Sequence, residues 1–244
     1  MHVMKRFPLA FVGVFALLAI APGAASAAEL QIGKTVTPMA APVCPVGVPQ
    51  NQCNIVVPQL TVFNTASDGV GNPMAVTKTG ELVSVTIGVS SISSNQKTLK
   101  TDVSYLNSTY GGPAEAELAV LRQVGKPSKL RWSVAAETPA YQLAPYLGQV
   151  VQFPLATPLP VVPGEVVALT VPTWAPILTY DLKPSKFSYR QSRALNCTKS
   201  GGQTTIAAQL TIGEAARYGC SYSGTRVQYS AEEITTPIPS SVLK

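Results

Sequence analysis

Apolar residues recur at every second position through most of this chain, the period of half-buried strands rather than of helices. The stretch 161–171 is the strongest case. Pro163 and Gly164 make a turn, and Glu165 leads into Val166, Val167, Ala168, Leu169, Thr170 and Val171. Val167, Leu169 and Val171 share one face, and Val166, Ala168 and Thr170 share the other. The pattern predicts a central strand with one fully apolar face, ended by Pro172.

Residues 81–92 alternate as cleanly, with Val83, Val85, Ile87 and Val89 opposite Ser84, Thr86, Gly88 and Ser90. Each such apolar side chain contributes roughly 1.5–3 kcal/mol when fully enclosed. The same period predicts strands at 54–63, where Pro58 signals an edge or a bulge, and at 99–106, with Leu99, Val103 and Tyr105 in phase. It continues at 115–124 (Ala116, Leu118, Val120), 130–137 (Trp132, Val134) and 150–155 (Val151, Phe153, Leu155). Further strands are expected at 206–212 (Ile206, Ala208, Leu210, Ile212) and 225–231 (Val227, Tyr229), with a first edge strand at 30–37. Residues 141–148, around Pro145, read as a loop or a single helical turn. Turn clusters such as Asp68-Gly69, Gly71-Asn72-Pro73 and Gly111-Gly112-Pro113 separate these segments. No segment after residue 27 reads as a helix.

The fold expected is all-β: a single antiparallel β-sandwich of jelly-roll or Greek-key type, with about ten short strands. Two small sandwiches split near Gly111 are the alternative. No fixed-period repeat points to a propeller or a solenoid.

Three stretches carry a resemblance. They are Ala116-Glu117-Leu118-Ala119-Val120-Leu121-Arg122, then Phe153-Pro154-Leu155, then the run from Leu159 through Pro163-Gly164-Glu165. This resembles secreted actinobacterial β-sandwich proteins, in which a strand ending Val-Leu-Arg precedes a Leu-Pro-Val-x-x-Gly-Asp/Glu turn. The resemblance spans residues 80–180, and Glu165 stands where the pattern more often has Asp. It implies the sandwich fold and an exported setting, and brings no activity with it.

The first segment has the build of a secretory leader. Lys5 and Arg6 precede an apolar run from Phe7 to Ile20, then Pro22, Gly23 and the small residues Ala25-Ser26-Ala27. The organisation expected is a signal peptide at 1–27, a sandwich domain at 28–235 and a disordered tail at 236–244. Cleavage after Ala27 leaves 217 of the 244 residues. Removing Lys5 and Arg6 from 18 basic residues leaves sixteen against 12 acids, a net charge of +4. That balance does not argue for nucleic acid; it suits weak attraction to an anionic wall or polysaccharide. No later segment is apolar and long enough to span a membrane. The four cysteines, an even number in an exported chain, are expected to form two local disulfides, Cys44 with Cys53 and Cys197 with Cys220. Their spacing does not match a zinc ribbon.

The chemistry is bounded mainly by what is missing. The single histidine is His2, inside the leader, so the remainder has no histidine base, triad or metal ligand. Ser94-Asn95-Gln96-Lys97, Tyr105-Leu106-Asn107 and Lys78-Thr79-Gly80 are similar in form to the motifs of penicillin-recognising serine enzymes. The Lys-Thr-Gly comes first instead of last, the spacing is too tight, and the serine is expected in a turn rather than at a helix start. Glu115, Glu117, Glu137 and Glu165 are candidate carboxylates. Glu115 and Glu117 on one strand face stand about 7 Å apart, a separation that inverting glycoside hydrolysis uses.

Trp132, Trp174, Tyr141, Tyr146 and Tyr180 are the aromatics that could stack on a sugar ring. Trp132 is in phase with the core, whereas Trp174 falls in a Pro-rich stretch expected to be a loop. Lys183, Lys186, Arg190, Arg193 and Lys199 form the one basic run, with Phe187 and Tyr189 interleaved. The function expected is that of an exported, non-catalytic sandwich binding at or near the cell envelope, with a cell-wall or extracellular glycan as partner. Its ligand-binding candidates are Trp174, Tyr180, Lys183, Lys186, Arg190 and Arg193. No cofactor, metal or nucleic acid is implied. The alternatives are a carbohydrate-active enzyme using acidic residues and a structural matrix protein.

Overall fold

The computed structural model describes residues 27–49, 53–194, 197 and 206–236. The expected leader (1–27), apart from Ala27, and the expected tail (236–244), apart from Thr236, lie outside them. The first elements are β1 (Glu29–Ile32), β2 (Val57–Ser67), β3 (Val70–Gly71), β4 (Gly80–Gly88) and one helix, α1 (Gln96–Tyr110). Next come β5 (Glu115–Gln123), β6 (Arg131–Glu137), β7 (Tyr141–Gln142), β8 (Val150–Val161) and β9 (Val166–Ala175). The chain continues through β10 (Leu178–Thr179), β11 (Ser188–Gln191) and β12 (Ala215–Arg217). It ends with β13 (Cys220–Ser223), β14 (Arg226–Val227) and β15 (Tyr229–Thr235).

The fold is all-β and antiparallel, as the alternation predicts. A four-stranded sheet runs β1-β15-β4-β8, and a larger sheet runs β12-β6-β5-β9-β2-β11-β13, with β3 on β2 and β7 on β5. β10 and β14 make a separate two-stranded pair. Leu60, Val62, Leu118, Val120, Val167, Leu169 and Val171 from the large sheet share one core with Leu82, Val85, Ile87 and Tyr229 from the small one. The large sheet curls: Phe63 on β2 meets Trp132 on β6 at 5.3 Å, although β5 and β9 lie between those strands. Tyr218 completes that aromatic group, 5.2 Å from each ring.

β9 is the centre of the large sheet, flanked by β5 and β2. Gly164 takes φ +93°, the left-handed turn that side-chain-bearing residues resist, and starts the strand. Glu165 closes the turn: its Oε2 accepts the Val162 amide at 3.0 Å. Pro172 does not end β9, contrary to the expectation. The ladder to β5 finishes at Thr170 opposite Glu117, and the register with β2 shifts between Pro58 and Leu60, so no ladder bond is asked of Pro172. That shift is the bulge signalled by Pro58, and it sits in an interior strand rather than at an edge.

The expected strand at 99–106 is instead the helix. Leu99, Val103, Leu106 and Tyr110 follow a period near 3.6 and pack on the core as one stripe. Tyr105, which had supported a strand phase, is exposed. Asn95 caps the start, its Oδ1 accepting the amides of Lys97 and Thr98 at 3.0 and 3.1 Å. Gly111 ends it at φ +82°.

Three further differences have local causes. Residues 206–212 alternate in sequence yet join no extended strand; Ala208 is buried, while Ile206, Leu210 and Ile212 are exposed. Val83 leaves the core face because both neighbours of β4 skip it, and Leu82 takes its place. β8 runs through Pro154, Pro158 and Pro160 because it is the sheet's edge, where a missing N–H breaks no further ladder. Both disulfides form as expected, Cys44–Cys53 and Cys197–Cys220. Among the described residues, no helix is long and apolar enough to cross a membrane.

Candidate functional site

The six ligand-binding candidates do not all come together. Trp174 lies inside β9, not in a loop, and is 0 % exposed. Its indole N–H is shared between Asn107 Oδ1 at 3.0 Å and the Gly112 carbonyl at 3.1 Å, so it pins the end of α1. It has no face to offer a sugar. Tyr180 is half-buried, and its hydroxyl is enclosed without a partner. Lys183 and Lys186 are exposed on the turn before β11. The alternation of β11 separates the two arginines. Arg190 stands opposite Phe63 and donates to the Tyr218 carbonyl at 3.0 Å. Arg193 lies past the strand, near Tyr222, Tyr189 and Tyr110. Burial pulls its guanidinium below the usual range, and the three tyrosines partly offset this. Tyr189 and Tyr222 stack at 5.2 Å. Lys199 lies outside the described residues.

The candidate acids fare differently. Glu165 is structural: Arg122 Nη2 lies 2.6 Å from its Oε1, and its other oxygen caps the turn. Glu115 and Glu117 share a face of β5, as expected from parity. Glu137 joins that face because it pairs with Ala119. Diagonal neighbours of this kind stand about 7–8 Å apart. Burial raises the Glu117 carboxyl to about 7, and the charges of Glu137 and Glu115 add to the rise. Glu137 is raised as well, by burial and then by Glu214, and its Oε2 is enclosed with no partner.

β7 brings aromatics to the same place. It continues the line of β6 along β5, with Gln142 opposite Glu115 and Tyr141 opposite Ala116. The Gln142 side-chain amide donates to Glu115 Oε1 on the acidic side. Tyr141 points the other way and stacks on Phe153 of β8 at 4.7 Å, and Tyr146 meets Phe153 edge-on at 5.3 Å. All three rings are half-buried. Two of the five candidate aromatics, Tyr141 and Tyr146, thus flank the ribbon that carries Glu115 and Glu117. The partners that sequence reasoning missed are Gln142 and Phe153. Gln142 gave no signal, being one polar residue beside a proline turn, and Phe153 was read only as a strand position in phase with Val151 and Leu155.

A helix does begin at Ser94-Asn95-Gln96-Lys97, which removes one objection to the serine-enzyme motif. Asn95 rather than Ser94 caps it, and Lys78-Thr79-Gly80 still precedes it in the chain. Among the described residues, no group of three or more His, Cys, Asp or Glu is placed to hold a metal ion. Compared with family models, with curated proteins and with solved structures, the chain finds no match in any of the three.

Proposed function

We propose that this is an exported, non-catalytic protein of the cell envelope that binds carbohydrate at the β5–β7 border. The observation that carries the reading is the half-buried group of Tyr141, Tyr146 and Phe153 on one side of a ribbon whose other side holds Glu115 and Gln142. Aromatic rings at a border give a glycan chain its apolar contact, and the carboxylate and amide groups across the border take hydroxyls of neighbouring units. The leader pattern and the two disulfides support the exported setting. Isothermal titration against the hits of a glycan array tests it. Binding is expected to weaken at least tenfold in Tyr146→Ala and Gln142→Ala and to persist in Trp174→Phe. Absence of any glycan ligand, or full binding in both border variants, sinks it.

The Glu117 carboxyl favours a second reading. An acid held near 7 beside two further carboxylates suits proton transfer to a glycosidic oxygen. Release of reducing ends from a polysaccharide panel, lost in Glu117→Gln, would replace the binding reading with an enzyme.

A further inference from the structure

A second surface, sharing no residue with the β5–β7 border, presents apolar tips in a rigid frame. Val36 is 91 % exposed, and Val70, at the tip of the β2–β3 hairpin, is 61 % exposed. Single exposed valines are ordinary; two held together by a built network are not. The Asp68 carboxylate accepts the Thr37 amide at 3.0 Å, the Thr37 hydroxyl at 2.6 Å and the Val36 amide. Although burial opposes its ionisation, these bonds and the charge of Arg226 hold the Asp68 carboxyl below the usual range. Arg226 is 2 % exposed and donates to the Thr37 carbonyl at 3.2 Å and to Thr35 Oγ1 at 2.9 Å. The loop 181–187 joins the same end, since the Gly69 amide donates to the Lys186 carbonyl at 3.0 Å. The valines therefore stand on loops tied to each other and to the buried Arg226.

The charge around them is positive. Lys34, Lys183 and Lys186 are exposed on these segments, against Asp181 as the one exposed acid of the loop 181–187. Asp68 faces Arg226.

We infer that this end docks on the surface of an anionic phospholipid bilayer, with Val36 and Val70 entering the headgroup boundary and the lysines meeting lipid phosphates. A hydrated polyanion would satisfy the lysines but leave the valines in water, so the apolar tips select lipid. A valine taken out of water is worth about tenfold in affinity, and each lysine about fivefold.

Co-sedimentation with phosphatidylglycerol and phosphatidylcholine vesicles tests this, using protein exported from cells with its N terminus fixed by mass spectrometry. Binding to phosphatidylglycerol alone is expected. It should drop at least tenfold in V36S/V70S and again in K183Q/K186Q, and stay unchanged in Ile212→Ser, an exposed apolar residue elsewhere. Equal binding to both lipids, no binding to either, or full binding by V36S/V70S overturns it. So does equal retention of the wild type and V36S/V70S on a soluble polyglycerol phosphate with no vesicle binding, which would point to a wall polymer.

Discussion

The indole N–H of Trp174 is divided between Asn107 Oδ1 and the Gly112 carbonyl, and this ties the central strand of the large sheet to the end of the only α-helix among the described residues. Trp174→Phe keeps most of the ring and removes the donor, leaving two acceptors unpaired. The expected cost is about 1–3 kcal/mol, read as a lower urea midpoint. Asn107→Ala should cost less, because the Gly112 carbonyl still accepts. Equal stability in Trp174→Phe and the wild type would show that the bond has no energetic role.

The Glu117 carboxyl is raised from 4.5 to about 7. The folded state therefore holds this proton more tightly than the unfolded chain, and ionising the group costs stability. Its share is fully retained below pH 4.5, falls away between 4.5 and 7, and levels off above. Allowing for solvent screening at a half-exposed group, the loss is about 1 kcal/mol. Glu137 is shifted in the same direction, so the wild type loses more than this one share. Urea midpoints from pH 4 to 8 should decline less steeply in Glu117→Gln. An identical decline would remove Glu117 as the cause.

Arg122 is exposed whereas Glu165 is buried, which makes the pair asymmetric. Arg122→Ala should cost about 1 kcal/mol, since the lost partner was solvent-screened. Glu165→Ala should cost about 2 kcal/mol, because it also strips the acceptor from the Val162 amide. The order of the two urea midpoints checks the assignment; the reverse order would contradict a turn-closing role.

The disulfides close loops with separations of 23 and 9 residues. Replacing both cysteines of either pair by serine should lower stability by about 3 kcal/mol, slightly more for the longer loop. Losing Cys197–Cys220 also frees the segment whose Cys197 carbonyl accepts the Tyr222 hydroxyl at 2.6 Å. Thermal midpoints should therefore fall further for that pair. Equal midpoints with and without it would mean that the β11–β13 pairing holds the segment by itself.

Where neighbours enforce an alternation, it can be read directly. Val167, Leu169 and Val171 face the core because β5 and β2 hold β9 on both sides. Residues 206–212 have the same period but meet β2 only through a single bridge, Ala207 to Leu60, so no ladder enforces the pattern there. Pro172 and Tyr105 misled for one reason: each was weighed against its own segment, whereas Pro172 is tolerated by a register shift in β2 and Tyr105 lies off a helical stripe. Glu115 and Glu117 were visible as a pair from parity. That Tyr141 and Gln142 would lie beside them was not, since it depends on a pairing across more than twenty residues of chain. Trp174 was misplaced by the same kind of gap, because its partners arrive from α1.

The three prolines of β8 have a consequence beyond their own sheet. An edge strand is a template on which another copy can add itself, and a continuous row of free amides is what it offers. Pro154, Pro158 and Pro160 remove three donors from this twelve-residue border. At high concentration, copies of the protein would meet along a border with those donors missing. Addition of a further strand on that side is thereby disfavoured.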